Sequence, residues 1–468
     1  MTEKRKRKLA MPDTLIIVAS VVLLVAILSW IIPSGTYDYQ EMNINGRIRN
    51  VAIDGTYHTI DKSEVTTTGF LGFFSVLYRG CVEAADVIFM ILCCCGTFGV
   101  VVKTGAFHAG IGTILKKLKG KEILLVPIIM LIFGLGGSVF GMASEFYGFY
   151  PLIVGLGVAL GYDAMFGFAI IAVGEFVGFM GATLNPYSVG IAQTISGVEL
   201  YSGTGYRTIC FVIFMVISII YVMMYGRKIK KNPGASVVFG EKNIHAFDRD
   251  ELNEYSFTLK DGLVLLDVLV VLVVLMFGLI KWGWDFPQLC GLFLLMSMIA
   301  AAICKWSPNK WCSEFIESAK TAMWGCILTG IAKAITVVMQ DAQIMDTVIY
   351  GLSNVLKNAP HAVSAQVMLV VQTLINFFIP SATGQASATM PIMAQLADII
   401  GVSRQTAVLA FQFGDGLSNI FWPTADIVII CGLGGISLQK WYKWFTPLFL
   451  ILFATQAILL GIETGIGF

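Results

Sequence analysis

The chain has 468 residues, of which 57% are apolar and only 13% charged, with a formal net charge of +1. A soluble domain carries about 25% charged residues, so this chain has too little polar surface to cover a globule in water, and its main solvent is lipid. The near-zero charge points to no partner class, and no basic face suggests nucleic acid.

The first 13 residues are basic (Lys4-Arg5-Lys6-Arg7-Lys8) and precede an apolar run, Thr14–Pro33. The run is long enough to span and lacks a small-x-small cleavage site, so it reads as a retained first helix with its N-terminus in the cytoplasm. Scaffold helices are expected over 14–122, with a turn-rich, charged external loop at 34–69. Phe70–Val82 has the pattern of an interfacial arm, Ala84–Val102 spans back, and Lys103–Glu122, with Lys116, Lys117, Lys119 and Lys121, reads as a cytoplasmic loop.

The region 123–225 departs from simple spans. Two apolar arms flank the small, polar stretch Gly137–Glu145. Each arm is short for a crossing of about 20 residues, so 123–160 reads as a re-entrant hairpin entered from the cytoplasm. A helix over 164–197 is interrupted at Gly181-Ala182-Thr183-Leu184-Asn185-Pro186, where proline has no N–H to give and clashes with the preceding turn. A helix over 206–225 returns to a hydrophilic cytoplasmic linker, 226–259.

The second half repeats this plan. Pro151, Gly161 and Gly174 match Pro391, Gly401 and Gly414 at a spacing of 240, Glu175 falls on Asp415, and Ser144-Glu145 on Gly384-Gln385. Scaffold helices are expected over 260–360. A second transport region, 361–468, would contain a hairpin at 363–400 (arms Val363–Ile379 and Thr389–Ile400), a broken helix at 404–436 interrupted at Ser418–Thr424, and a last helix at 441–463. The spacing between repeats places them in opposite orientation, the plan of an all-α polytopic secondary transporter with its site where broken helices meet.

The chemistry expected at such a site follows from its atoms. Unwound breaks expose N–H groups that attract carboxylates, and carbonyls that, with Asn, Ser and Thr oxygens, suit Na⁺. Thr183 and Asn185 in one half, and Ser418 and Asn419 in the other, are the candidate Na⁺ ligands. The same residues could instead rescue backbone groups freed by Pro186 and Pro423. Four acids, Glu145, Glu175, Asp415 and Asp426, fall where charge is costly. From Ile123 through Tyr206 there is no Lys or Arg, and from His361 through Leu438 only Arg404. That balance favours a cationic or zwitterionic substrate held by charge-assisted hydrogen bonds, or a coupling proton on one of the acids. Phe146, Tyr147, Phe149 and Tyr150 could stack on a cation or pack the core. No GxxxxGK[ST] loop and no Ser/His/Asp or Cys/His arrangement is present, so neither an ATP-driven pump nor an enzyme is indicated, and no resident cofactor beyond a coupling Na⁺ or H⁺ is expected. The ten cysteines, Cys93-Cys94-Cys95 among them, read as small buried hydrophobes.

Gly174-Glu175 with Thr183-Leu184-Asn185-Pro186, and Gly414-Asp415-Gly416-Leu417-Ser418-Asn419 with Pro423-Thr424, resemble the YfcC family over nearly the whole chain. That family is grouped with anaerobic C4-dicarboxylate carrier-like proteins in the wider ion transporter superfamily. The resemblance implies an inner-membrane homodimer, each protomer with a scaffold part and a mobile part moving as an elevator. It places Ser138, Ser144, Glu145, Thr183, Asn185, Ser381, Thr383, Gln385, Asp415, Ser418, Asn419 and Thr424 around the substrate, to which the reading of the buried acids adds Glu175. Relatives include arginine/ornithine antiporters and carriers of dicarboxylates or short-chain carboxylates. The acids favour a basic amino acid, with a Na⁺- or H⁺-coupled carboxylate carrier as the alternative. A channel or a non-transporting scaffold would need neither paired breaks nor buried acids.

Overall fold

In a computed structural model the described residues are 13–44, 47–118, 122–241, 245, 256–357 and 363–466. The basic N-terminus and most of the distal part of the linker lie outside them. Asp13 opens the first helix, α1 (Thr14–Ile31), by accepting a hydrogen bond from the Leu15 N–H at 2.9 Å. The segment expected as a turn-rich loop is instead built from two antiparallel pairs: Ser34–Thr36 with His58–Ile60, and Tyr39–Ile44 with Arg47–Ala52.

Next come α2 (Phe70–Glu83), α3 (Ala85–Lys103) and α4 (Ala106–Leu118). The Lys-rich segment expected as a loop is therefore helical over much of its length. The first hairpin is α5 (Leu125–Leu135), a wide turn at Gly136–Phe140, a single tight turn at Ser144–Phe146, and α6 (Phe149–Ala159). A broken helix follows as α7 (Ala164–Met180) and α8 (Val189–Ile195), and α9 (Thr204–Lys231) closes the half with Lys228, Lys230 and Lys231 in its last turn.

The second half begins with α10 (Leu259–Lys281) and α11 (Phe286–Ile303), each opened by a capping box, Thr258 with Asp261 and Asp285 with Gln288. It continues with α12 (Pro308–Lys320), α13 (Met323–Asp341) and α14 (Met345–Lys357). The second hairpin is α15 (Ser364–Phe378) and α16 (Ala382–Ile400), the second broken helix is α17 (Arg404–Ser418) and α18 (Asp426–Gly434), and α19 (Leu438–Ile466) is last. The second arm of this hairpin starts at Ala382, earlier than the Thr389 expected, because Ser381 caps it by accepting from the Gly384 N–H at 3.3 Å. Pro391 is carried inside the helix.

From α2 to α9 the elements recur in the same order from α12 to α19, arm for arm, hairpin for hairpin and break for break. Seven helices among the described residues are long and apolar enough to cross a membrane, α1, α3, α9, α10, α11, α13 and α19. The chain is a multi-pass membrane protein. All of α7, and Gln405–Ser418 of α17, are buried. Protein rather than lipid thus surrounds the helices that break, the condition under which interrupted backbone survives at membrane depth.

Candidate functional site

The two broken helices meet near their middles. Gly416 lies so close to Met180 that a Cβ there would stand 2.4 Å from the Met180 Cα. At one end of this crossing, Arg404 Nη1 donates to the Ser196 carbonyl at 2.9 Å, and Gln193 Nε2 to Gln405 Oε1 at 3.2 Å. At the other end, Gly161–Ala164 and Gly435-Ile436 line one cavity. The start of each broken helix thus lies beside the end of the other, and the two run antiparallel.

The first break is sealed by the first hairpin. The Thr183 N–H donates to the Ser138 carbonyl at 2.9 Å, and Ser138 Oγ donates to the Gly181 carbonyl at 3.0 Å. Asn185 Nδ2 donates to the Gly137 carbonyl at 3.3 Å, while its Oδ1 accepts from the N–H groups of Tyr187 (2.8 Å) and Ser188 (3.2 Å). Gly141 has a φ of +68°, and a Cβ there would stand 2.4 Å from Asn185 Oδ1, so both conformation and closeness require glycine. The second half also reaches in: Gln412 Nε2 donates to the Met180 and Ala182 carbonyls, each at 2.8 Å, and Thr383 Oγ1 donates to the Tyr187 carbonyl at 3.0 Å.

The second break is less fully paired. Asn376 Nδ2 donates to Asp415 Oδ1 at 2.9 Å and to Gln385 Oε1 at 3.1 Å, and Gln385 Nε2 donates to Gln372 Oε1 at 2.7 Å. Ser418 Oγ donates to its own helix, to the Gly414 carbonyl at 2.5 Å. The buried oxygens Asp415 Oδ2, Asn376 Oδ1, Asn419 Oδ1 and Thr424 Oγ1 have no hydrogen-bond partner.

Between the hairpin tips, the strands and the junction of α10 with α11 lies an outer chamber of about 690 Å³. Gly141, Ser144 and Glu145 of the first tip line it with Ser381, Thr383 and Gly384 of the second, Tyr187 of the first break, and Tyr39 and Asn50 of the strands. An adjoining inner chamber of about 390 Å³ shares Ala143, Ser144, Phe286 and Ser381 with it and adds Glu83, Lys333, Thr329, Thr336, Tyr147, Thr424 and Asp426. Volumes of this order suit a small organic ligand, typically about 300–1,000 Å³.

The expected residues therefore separate. Ser144, Glu145, Ser381, Thr383 and Thr424 line the chambers. Ser138, Thr183, Asn185 and Gln385 hold the walls together from behind. Glu175 and Asp415 are wholly buried and line neither chamber; Glu175 accepts from Tyr150 Oη at 2.8 Å through one oxygen, and its other oxygen has no partner. Phe146 and Phe149 pack against Phe133, while Tyr147 lines the adjoining chamber and its Oη donates to Asp426 Oδ1 at 2.9 Å.

Two cations near the site lie outside the two cation-poor stretches, Arg207 by one residue and Lys333 on a separate helix. Arg207, fully buried, donates through Nη1 to Gln412 Oε1 and through Nη2 to Gln405 Oε1 at 3.1 Å. Lys333 comes from α13, where its spacing from Thr329 and Thr336 was the available signal.

The family model described as C4-dicarboxylate anaerobic carrier, DcuC, matches residues 11–465. The Escherichia coli (strain K12) protein YfcC, whose name gives it provisionally as a basic amino acid antiporter, is 32% identical over 97% of this chain and 96% of its own. An uncharacterized Haemophilus influenzae protein is 27% identical over 99% of both. The solved Alcanivorax borkumensis YdaH transporter aligns over 98% of this chain and 99% of its own at 15% identity with a TM-score of 0.44, a likeness too slight to carry an argument. On the family match and the YfcC identity, the chain belongs to the DcuC family of C4-dicarboxylate anaerobic carriers and is a multi-pass membrane transporter of that type.

Proposed function

We propose that this transporter carries a basic amino acid, by arginine/ornithine-type exchange or ion-coupled uptake, across the bacterial cytoplasmic membrane. The observation that carries the reading is the placement of Glu145 and Asp426 in adjoining chambers between the two hairpin tips. A carboxylate in such a place attracts a guanidinium or ammonium through charge-assisted hydrogen bonds. The name of YfcC points the same way.

Alternating access by an elevator movement of inverted repeats fits the recurrence of elements between the halves and the antiparallel crossing of the broken helices. The moving part would be the two hairpins with α7–α8 and α17–α18, sliding against α3 and α13 in a homodimer with its N-termini in the cytoplasm.

A coupling Na⁺ fits the second break and not the first. Asn185 Oδ1 and Thr183 Oγ1 are engaged in hydrogen bonds with the hairpin and the local backbone, whereas Asp415 Oδ2, Asn419 Oδ1 and Asn376 Oδ1 are buried acceptors without donors. A hard cation takes such oxygen ligands; a proton on Asp415 would serve the same position.

The second reading, a carboxylate carrier, is favoured by the family description and by Lys333 in the inner chamber. Counterflow of radiolabelled arginine and of succinate in proteoliposomes, each with and without Na⁺, separates the two. Arginine-driven arginine exchange without succinate exchange supports the first; the reverse pattern overturns it.

A further inference from the structure

We infer that Lys333 reads the α-carboxylate of the substrate, so that the site takes a cationic α-amino acid and refuses the same molecule once decarboxylated. The inference rests on the basic amino acid reading above and deepens it.

Lys333 lies on α13 with Thr329 and Thr336 on the same face, one helical turn to either side, and all three line the inner chamber. Among the described residues it makes no hydrogen bond and no ion pair, and no other Lys or Arg lines either chamber. The nearby cations of the transport region are occupied: Arg207 by Gln405 and Gln412, Arg404 by Asp398 and the Ser196 carbonyl. An ammonium without a partner on a membrane helix is costly, and a ligand carboxylate would remove that cost. Thr424 Oγ1, buried and without a hydrogen-bond partner, offers a further donor in the same chamber.

The carboxylates are arranged to take the rest of such a molecule. Asp426 shares the chamber of Lys333 and would meet the α-ammonium. Glu145 lines the outer chamber, which joins the inner one at Ser144 and Ser381, and would meet the distal guanidinium or ammonium. A dicarboxylate would bring one of its charges against Glu145, where the described lining residues include no cation.

The test is competition against radiolabelled arginine counterflow by the full chain in proteoliposomes, with unlabelled arginine or agmatine, its decarboxylated form. The wild type should be inhibited by arginine and at least tenfold less by agmatine. Lys333→Gln should raise the KM for arginine by about tenfold, the value of one charge-assisted contact, and make agmatine as good a competitor as arginine. Lys333→Arg should restore the preference. Equal inhibition by the two compounds in the wild type overturns the inference without recourse to any variant. So does a folded Lys333→Gln protein, with unchanged thermal unfolding, that keeps the wild-type preference. Absence of arginine counterflow in the wild type is a different failure: it overturns the basic amino acid reading, and the role of Lys333 with it.

Discussion

Gln412 donates its side-chain amide to the Met180 carbonyl at 2.8 Å, joining the second broken helix to the last turn before the first break. The same nitrogen reaches the Ala182 carbonyl at 2.8 Å, and the amide oxygen accepts from Arg207. One side chain thus satisfies two carbonyls released where α7 ends and steadies a buried guanidinium behind them. The break in one half is held in shape by a residue of the other.

Gln412→Leu should therefore be among the most destabilising single changes in the transport region. It leaves two buried carbonyls and part of the Arg207 guanidinium without partners, each costing about 1–3 kcal/mol. Thermal unfolding in detergent should shift down by several degrees, while Gln405→Leu, which removes one Arg207 contact and the links to Gln193 and Ser202 but frees no carbonyl at the break, should shift less. Equal stability of Gln412→Leu and wild type would show that water or a rearranged break supplies the missing donors.

Glu145 and Asp415 should behave differently when neutralised. Glu145 lines the outer chamber and accepts only from the Ala143 N–H (3.0 Å) and, weakly, from Ser144 Oγ (3.5 Å). Glu145→Gln should lower arginine affinity by tenfold or more. Asp415 lines neither chamber, and its partner is Asn376. Asp415→Asn should leave arginine binding measurable but remove its dependence on Na⁺ or pH. Binding followed by thermal shift across Na⁺ concentrations decides this; retained Na⁺ dependence in Asp415→Asn would move the ion elsewhere.

Much of the plan was legible in the chain because bilayer physics leaves few choices. Pro186 and Pro423 announce the breaks, and the short arms around Gly137–Glu145 announce a hairpin. Roles within the site were not legible. Asn185 and Asn419 occupy comparable places in their motifs, yet the first spends its oxygen on the Tyr187 and Ser188 N–H groups while the second leaves its oxygen unpaired. That difference arises from packing between segments far apart in sequence. Lys333 was not legible for a related reason: it reaches the chamber from α13, far in sequence from both hairpins and both breaks. The strands at Tyr39–Ile44 and Arg47–Ala52 had a local signal, the alternation around Asn45-Gly46, which the high turn content of the loop obscured.

Gly141 tests how tightly the first hairpin tip is built. Its φ of +68° disfavours any L side chain, and a methyl group would collide with Asn185 Oδ1. Gly141→Ala should cost about 1–2 kcal/mol for the left-handed backbone alone and more if Asn185 is displaced from the Tyr187 and Ser188 N–H groups. Because the tip lines the outer chamber, arginine KM should rise together with the loss of thermal stability. A rise in KM with unchanged stability would mean that the tip relaxes without disturbing Asn185.

The strand pairs over the outer chamber are tied to α14 through Asp346 near its start. Its carboxylate accepts from Tyr39 Oη at 2.8 Å, from the Tyr37 N–H at 3.0 Å and from Thr36 Oγ1 at 3.2 Å. Tyr39 and Asn50 of these strands line the chamber, so the tether sets how far the strands can lift from its mouth. Asp346→Ala removes three contacts to a charged acceptor, each worth about 1.5–3 kcal/mol, and should speed backbone hydrogen exchange in Tyr39–Ile44 by at least tenfold with little change in the helices. Alkali should act on the same tether. Burial, followed by the charge of Asp346 and its hydrogen bond, pushes the Tyr39 phenol above its ordinary value. A group whose pKa is higher folded than unfolded contributes stability that is complete below the unfolded value, about 10 for tyrosine, and falls as pH rises toward the folded value. Exchange in these strands should therefore accelerate above about pH 10 in the wild type and lose that contribution in Tyr39→Phe. The same acceleration in Tyr39→Phe would assign the alkaline response to another group.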